Sequence, residues 1–419
     1  MEITCRTPSQ GFPVGRVVKY EHVPAIRVVS VTFVSDHRKL LNWKRNWGNG
    51  ELATRFPKPE WTIENMACSV GYGAPVSHSL DRAVVLDVVI AYEPASGARP
   101  VKGSLVGNGP EGVIFVEQGV ELRPGDTKTL RLSAVGLFHT KRVYRLPFRV
   151  EWRFWTGGDP AIETVSVNHV FLTMNEPETV PEYSGATLLR MHHSVEQVAS
   201  IQEELYSFYT REIGSHPSPG ALRASAADAI QDPHKLVEKL VYRKLSAYDP
   251  NEHRANAWVM GTRGTRGNCD TISRYVQNIC LMVGMPGKIE PVRIWPRLNE
   301  SVMKTEITHG KKRILIPDRL PTWSDFTIVE TPIKSGGLDD PVIRHPTEAD
   351  WTLALIDDKK IDNNYEACVK LTHRGTRYYL PGAHWPPSAT DRNQVLTRMF
   401  NSLSWVRNHE VVGEVTRFR

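Results

Sequence analysis

No run of 18 or more apolar residues occurs in this chain of 419 residues, so no membrane-spanning helix and no membrane partner is expected. The first residues, Met1-Glu2-Ile3-Thr4-Cys5-Arg6, lack a basic stretch followed by an apolar one. The expectation is therefore a cytoplasmic protein, or one exported without a signal peptide. Cysteine is scarce. The five present (Cys5, Cys68, Cys269, Cys280, Cys368) are widely spaced and odd in number. They form no C-x-x-C pair and no Cys/His zinc spacing, which suits free thiols in a reducing compartment and predicts no metal. Concentrated positive charge is lacking too. The net charge of +6 is dispersed, and its densest stretches, residues 38–45 and 304–313, do not interleave aromatics as nucleic-acid modules do. Solvated surface is the expectation there, and no nucleic-acid partner. The glycine-rich segment 255–267 matches neither G-x-G-x-x-G nor G-x-x-x-x-G-K-[ST], which argues against a nucleotide site.

What is present is enough chain for two or three domains, each able to bury a core. Residues 1–175 read as β. The segments 17–20, 26–34, 83–92, 112–116, 129–135 and 143–154 are rich in Val, Ile, Phe and Tyr, with Gly, Pro, Asn and Asp between them. Short strands at such intervals predict an immunoglobulin-like sandwich, all-β, over 1–175. Within 143–154, Pro147 predicts an edge strand or a bulge. Trp43 and Trp47 are expected to cap an end of the sandwich, and His78, with no partner at ligand spacing, to lie on a surface or loop.

Residues 176–186 are acidic and proline-bearing, and read as a linker to an α+β domain over 187–419. Helices are predicted at 187–213 and 232–247 from their apolar spacing. A third follows Arg266-Gly267-Asn268-Cys269-Asp270, with Ile272, Tyr275, Val276, Ile279, Cys280 and Val283 on one face and a glycine stop at Gly284. Asn268 is the expected N-cap, which puts Cys269 in the first turn. Unpaired N–H groups and the helix dipole favour a thiolate there, and Gly267 leaves room for a substrate backbone. Cys269 is therefore the best nucleophile in the sequence. The plain alternative is a cysteine that packs.

Two hairpins, 304–318 and 365–381, are expected after this helix, and a closing helix at 395–406. A helix-borne cysteine followed by β-hairpins resembles papain-like thiol enzymes. More narrowly, Gly267-x-Cys269, the turn Gly284-Met285-Pro286-Gly287, and the stretch from Thr305 to Asp318 resemble the transglutaminase-like family over residues 255–320. The resemblance puts Cys269 on the nucleophile and Asp318 on the aspartate that orients a histidine. At the histidine itself the chain departs, since Val302 or Met303 stands there. His309, His373 and His384 are the candidates to replace it.

Two functions follow. In the first, Cys269 attacks an amide carbonyl to give a thioester, with His309 or His384 moving the proton and Asp318 orienting it. The backbone at Gly267, Asn268 and Asp270 would then hold the oxyanion. Its substrate would be a protein or peptide, and its products those of a protease, deamidase or transglutaminase. No cofactor is implied, although some relatives use calcium. In the second, the fold is kept without chemistry as a binding or scaffold module, for example in bacterial secretion or toxin delivery, and meets a protein partner through the sandwich.

Overall fold

The computed structural model describes residues 25–37, 40–41, 56, 58–64, 74–94, 97–157, 164–178, 186–211, 225–245, 268–299, 301, 303–309, 312–317, 322–333, 351–357, 360–363, 365–381, 389–392, 394–395, 402–407 and 410–416. The chain is β-rich and forms two compact units. The first takes Met1–Gln231 together with the turn Met282–Met285; the second takes Asp232–Leu281 and Pro286–Arg419. Expectations for Val17–Tyr20, Trp43 and Trp47 fall outside the described residues.

The first unit opens with β1 (Ile26–Phe33), β2 (Leu40–Leu41), β3 (Trp61–Thr62), β4 (Val76–Ser79) and β5 (Val85–Tyr92). Then come β6 (Val101–Asn108), β7 (Ile114–Leu122), β8 (Thr127–Ser133), β9 (Tyr144–Trp155) and β10 (Thr164–Thr173). A four-stranded sheet, in the order β3-β1-β5-β8, and a five-stranded one, β4-β10-β9-β6-β7, share one apolar core. The strands alternate because every second residue of a strand points the same way. In β9, Leu146, Phe148, Val150, Trp152 and Phe154 are buried, whereas Pro147, Arg149 and Trp155 are exposed. Two sheets back to back bury both sets of inner residues at once, which is what makes such a core stable.

β9 is not an edge strand; it lies between β10 and β6. The proline expectation holds only locally. β6 pairs with β9 over Glu151–Trp155, so at Pro147 the strand has a ladder partner on one side, His169 of β10, and no amide is required on the other. A short strand β11 (Ala186–Thr187) pairs with β2 and leads into α1 (Leu188–Thr210). Gln202 fastens this helix. Its amide accepts from the Val143 N–H at 2.6 Å and donates to the Ile230 carbonyl at 2.6 Å, so α1 and the turn before Asp232 belong to the β-rich unit.

The second unit holds α2 (Pro233–Leu245), α3 (Cys269–Met282 less its last residue) and β12 (Lys288–Leu298). After them come β13 (Met303–His309), β14 (Lys312–Pro317), β15 (Phe326–Pro332), β16 (Trp351–Asp357) and β17 (Lys360–Asn363). β18 (Glu366–His373), β19 (Thr376–Pro381), β20 (Ser402–Arg407) and β21 (Glu410–Thr416) complete it. An antiparallel four-stranded sheet, β15-β12-β18-β19, backs the helices; β13 and β14 form the first expected hairpin, and a further sheet runs β17-β16-β20-β21. The second expected hairpin is β18–β19. Its loop residues Arg374 and Gly375 take φ of 48° and 79°, the positive values that a two-residue turn between twisted strands demands. The helix expected at 395–406 is corrected at its end: Ser402–Arg407 is a strand, paired with β21 on one side and β16 on the other, while 396–401 lie outside the described residues.

No helix among the described residues is long and apolar enough to cross a membrane.

Candidate functional site

Helix α3 starts where its sequence says it should. The Asn268 side-chain oxygen accepts from the Thr271 N–H at 3.0 Å and from the Thr271 hydroxyl at 3.0 Å, an N-cap that satisfies one otherwise idle amide. The Ile272 N–H makes the first helical bond to the Asn268 carbonyl. Ile272, Tyr275, Val276, Ile279, Cys280 and Val283 are fully buried, as their spacing implies. At the other end Gly284 adopts φ of 61°, the left-handed cap conformation.

Cys269 stands in the first turn with 1% of its surface exposed, packed with Ile333, Ala367 and the half-buried Tyr365. Burial pushes its thiol well above the ordinary value, and the nearby charges of Glu366 and Asp270 push the same way. The backbone at Ala367 and Asp270 acts in the opposite direction. The helix N-terminus is thus present, but burial and the charges of Glu366 and Asp270 favour the neutral thiol. Cys368, on β18, is raised by burial, by Glu366 and by Cys269; Cys280 is raised by burial alone against a weak opposing bond.

Beside the thiol lies a polar lock that the sequence did not announce. Arg293 of β12 grips Asp270 with two nitrogens: Nε at 3.1 Å from Oδ1 and Nη2 at 2.7 Å from Oδ2. The Tyr365 hydroxyl donates to the same Oδ2 at 3.1 Å, and the guanidinium carbon lies 5.0 Å from the Tyr365 ring centre. One arginine therefore joins helix, sheet and the residue before β18 through a bidentate, stacked contact that lysine could not copy. Burial, then the Asp270 charge, hold the Tyr365 hydroxyl above its usual range.

The remaining expected site residues are distributed as follows. Asn268 and Asp270 adjoin Cys269, as cap and as ion-pair partner. His309 ends β13, opposite Lys312, and its side chain is outside the described residues. Gly267, Asp318 and His384 are outside them too. His373 ends β18 opposite Thr376, at the hairpin turn. Glu366, Arg293 and Tyr365 went unread. The one available signal was a glutamate opening an otherwise apolar strand, Glu366-Ala367-Cys368-Val369, where it is 1% exposed. Among the described residues no group of three or more metal-ligating side chains gathers.

In the first unit His78 is a second correction. It is fully buried in β4, not on a surface or loop, with its two ring nitrogens 3.2 Å from the Ser35 carbonyl and 3.0 Å from the Arg82 carbonyl. Backbone carbonyls carry no residue signature, so a search for side-chain partners could not find them.

No protein-family model matches this chain, and no curated protein is significantly similar to it.

Proposed function

We propose that the protein is a binding or scaffold protein, with a transglutaminase-like, papain-like C-terminal fold and an immunoglobulin-like N-terminal sandwich that meets a protein partner. The observation that carries this reading is the state of Cys269: 1% exposed, with burial and two carboxyl groups favouring the neutral thiol. A donor of the helix start is also engaged. The Thr271 amide serves the Asn268 cap, so it is not idle for an oxyanion. On this reading Cys269 is a small apolar filler, and Arg293–Asp270 fixes α3 to its sheet.

The competing reading, thiol-dependent acyl transfer or hydrolysis on protein amides, draws on the same helix start. It needs a thiolate at Cys269, with Asp318 and either His309 or His384 to maintain it.

Iodoacetamide labelling of the folded protein from pH 6 to 9, resolved by peptide mass spectrometry with Cys269→Ser as control, separates the two. Cys269 is expected to stay unmodified up to about pH 8.5, while unfolding in urea restores ordinary labelling. Rapid modification of Cys269 alone near pH ~6 would overturn the scaffold reading in favour of the enzyme.

A further inference from the structure

The β4 strand is an edge strand of four residues whose side chains are all buried, and its sheet partner among the described residues is β10, in parallel register. Covering by a loop is one way in which an exposed sheet edge is protected. Here the cover is the segment from Val34 to His37 that follows β1. The His37 N–H donates to the Ser77 carbonyl at 2.9 Å, and the Ser77 hydroxyl donates to the His37 carbonyl at 3.4 Å. His37 Nε2 lies 2.7 Å from the Ser79 hydroxyl, and His78 reaches back to the Ser35 carbonyl. At its near end the segment is anchored to β5, through the Val34 N–H to the Val85 carbonyl at 2.8 Å and the Val85 N–H to the Ser35 hydroxyl at 2.7 Å.

Two imidazoles do this fastening, and both sit in a place hostile to charge. Their rings stack 6.3 Å apart, with Phe138 edge-on to His78 at 5.8 Å. His37 is 2% exposed, and its Nδ1 is buried with no hydrogen-bond partner among the described residues. His78 faces two carbonyl oxygens, yet a neutral ring carries one N–H and so satisfies only one of them. The charged groups around the pair are mixed in sign: Asp81 and Glu176 face His37, Asp36 faces His78, and Arg82 faces both. Asp36 is itself occupied by Lys58 at 3.4 Å.

We propose that Val34–His37 is a proton-released strap, closed over the β4 edge at neutral pH and detached when His37 takes up a proton in mild acid.

The sign follows from linkage. Burial first, then His78, hold His37 down at about 4 in the closed form, against 6.5 for a solvated ring. Arg82 adds to this, and Glu176 and Asp81 oppose it without reversing it. His78 is lowered in the same way, by burial, with its two carbonyl contacts opposing. The closed strap thus binds fewer protons than the open one. Its stability is complete above pH ~6.5 and is lost as the pH falls towards ~4. From His37 alone the opening equilibrium rises roughly 60-fold between pH 7 and pH 4.5.

Amide hydrogen exchange on the full chain tests this, with rates corrected for the intrinsic effect of pH. Peptides covering 34–37 and 76–79 are expected to gain about 60-fold in exchange between pH 7 and 4.5, while the β9 peptide stays protected. In the double variant His37→Gln with His78→Gln, where neither ring of the pair titrates, the gain should vanish whether or not the strap is closed. A rise undiminished in His37→Gln, or one that survives in the double variant, overturns the proposal, and so does a rise shared equally by β9, which would be unfolding of the whole unit. Ring NMR offers an independent arm: a His37 that titrates near 6.5 in the folded protein also overturns it.

Discussion

Asp270→Ala is expected to destabilise the second unit by about 3–5 kcal/mol, an unusually large effect for a residue that is not part of the apolar core. The reason is what it leaves behind. The Asp270 and Arg293 side chains are only 15% and 12% exposed, so removing the carboxylate takes its bidentate partner from a largely buried guanidinium. The Tyr365 hydroxyl loses its acceptor in the same step. Coulomb attraction is a poor guide to the size of the effect, because much of it only offsets the desolvation of both ions. A double substitution separates the two contributions. Asp270→Ala with Arg293→Met removes the charge as well as its partner and should recover at least half of the loss, since a long apolar chain suits the same space. Urea denaturation, followed by the hydrogen exchange of β12 and β18, reports on this unit and not on its neighbour. A loss below about 1 kcal/mol for Asp270→Ala would mean that the pair behaves as a surface ion pair and does not lock α3.

That lock shows where reading the sequence succeeded and where it stopped. Local rules found α3 with its ends, because the cap and the stop are chemistry carried by single residues, Asn268 and Gly284. They also placed β1, β5, β8 and β9, where apolar residues alternate. They passed over β6, Val101–Asn108, since Gly103 and Gly107 dilute its pattern. Those glycines are there for packing: a Cβ on Gly103 would fall 2.2 Å from the Trp155 carbonyl oxygen. They misread β20, because Leu396, Met399, Phe400 and Leu403 keep helical spacing up to a strand whose partners, β16 and β21, are separate segments of the chain. Pairing between distant segments is decided by the sheet and not by the window.

The neighbourhood of Cys269 was legible by the same measure. Its helix position could be read, and its protonation state could not. That state depends on Glu366 and Ala367, almost a hundred positions on, and on how deeply the fold buries the sulfur. Helix dipole and burial act on a thiol with opposite sign, and here the burial is nearly complete, so the first-turn position does not decide the outcome. His37 and His78 make a parallel case in the first unit, where burial is the largest cause that lowers two ordinary imidazoles.

The core of the first unit should respond as sharply to Trp152→Ala, with a loss of about 3–5 kcal/mol. Trp152 has no exposed surface, and its ring centre lies 5.7 Å from that of Phe115. Its indole N–H donates to the buried Ser166 hydroxyl at 2.8 Å, which truncation would leave without this donor. The telling partner is Gly107, directly across from it on β6. A Cβ on Gly107 would sit 2.4 Å from the six-membered ring of the indole, nearer than any real contact, and φ at this glycine is not in the left-handed region. Gly107→Ala is therefore a pure packing clash, and about 1–3 kcal/mol is its expected cost in the native background. In the Trp152→Ala background the same methyl enters the vacated space, so its cost should fall to zero or change sign. Measured as shifts in urea midpoint at constant slope, the double-mutant cycle should give a coupling of about 1–3 kcal/mol. Additive losses would instead mean that Trp152 tilts away from an added methyl at little cost, and that β6 carries glycine here for its backbone and not for the ring opposite.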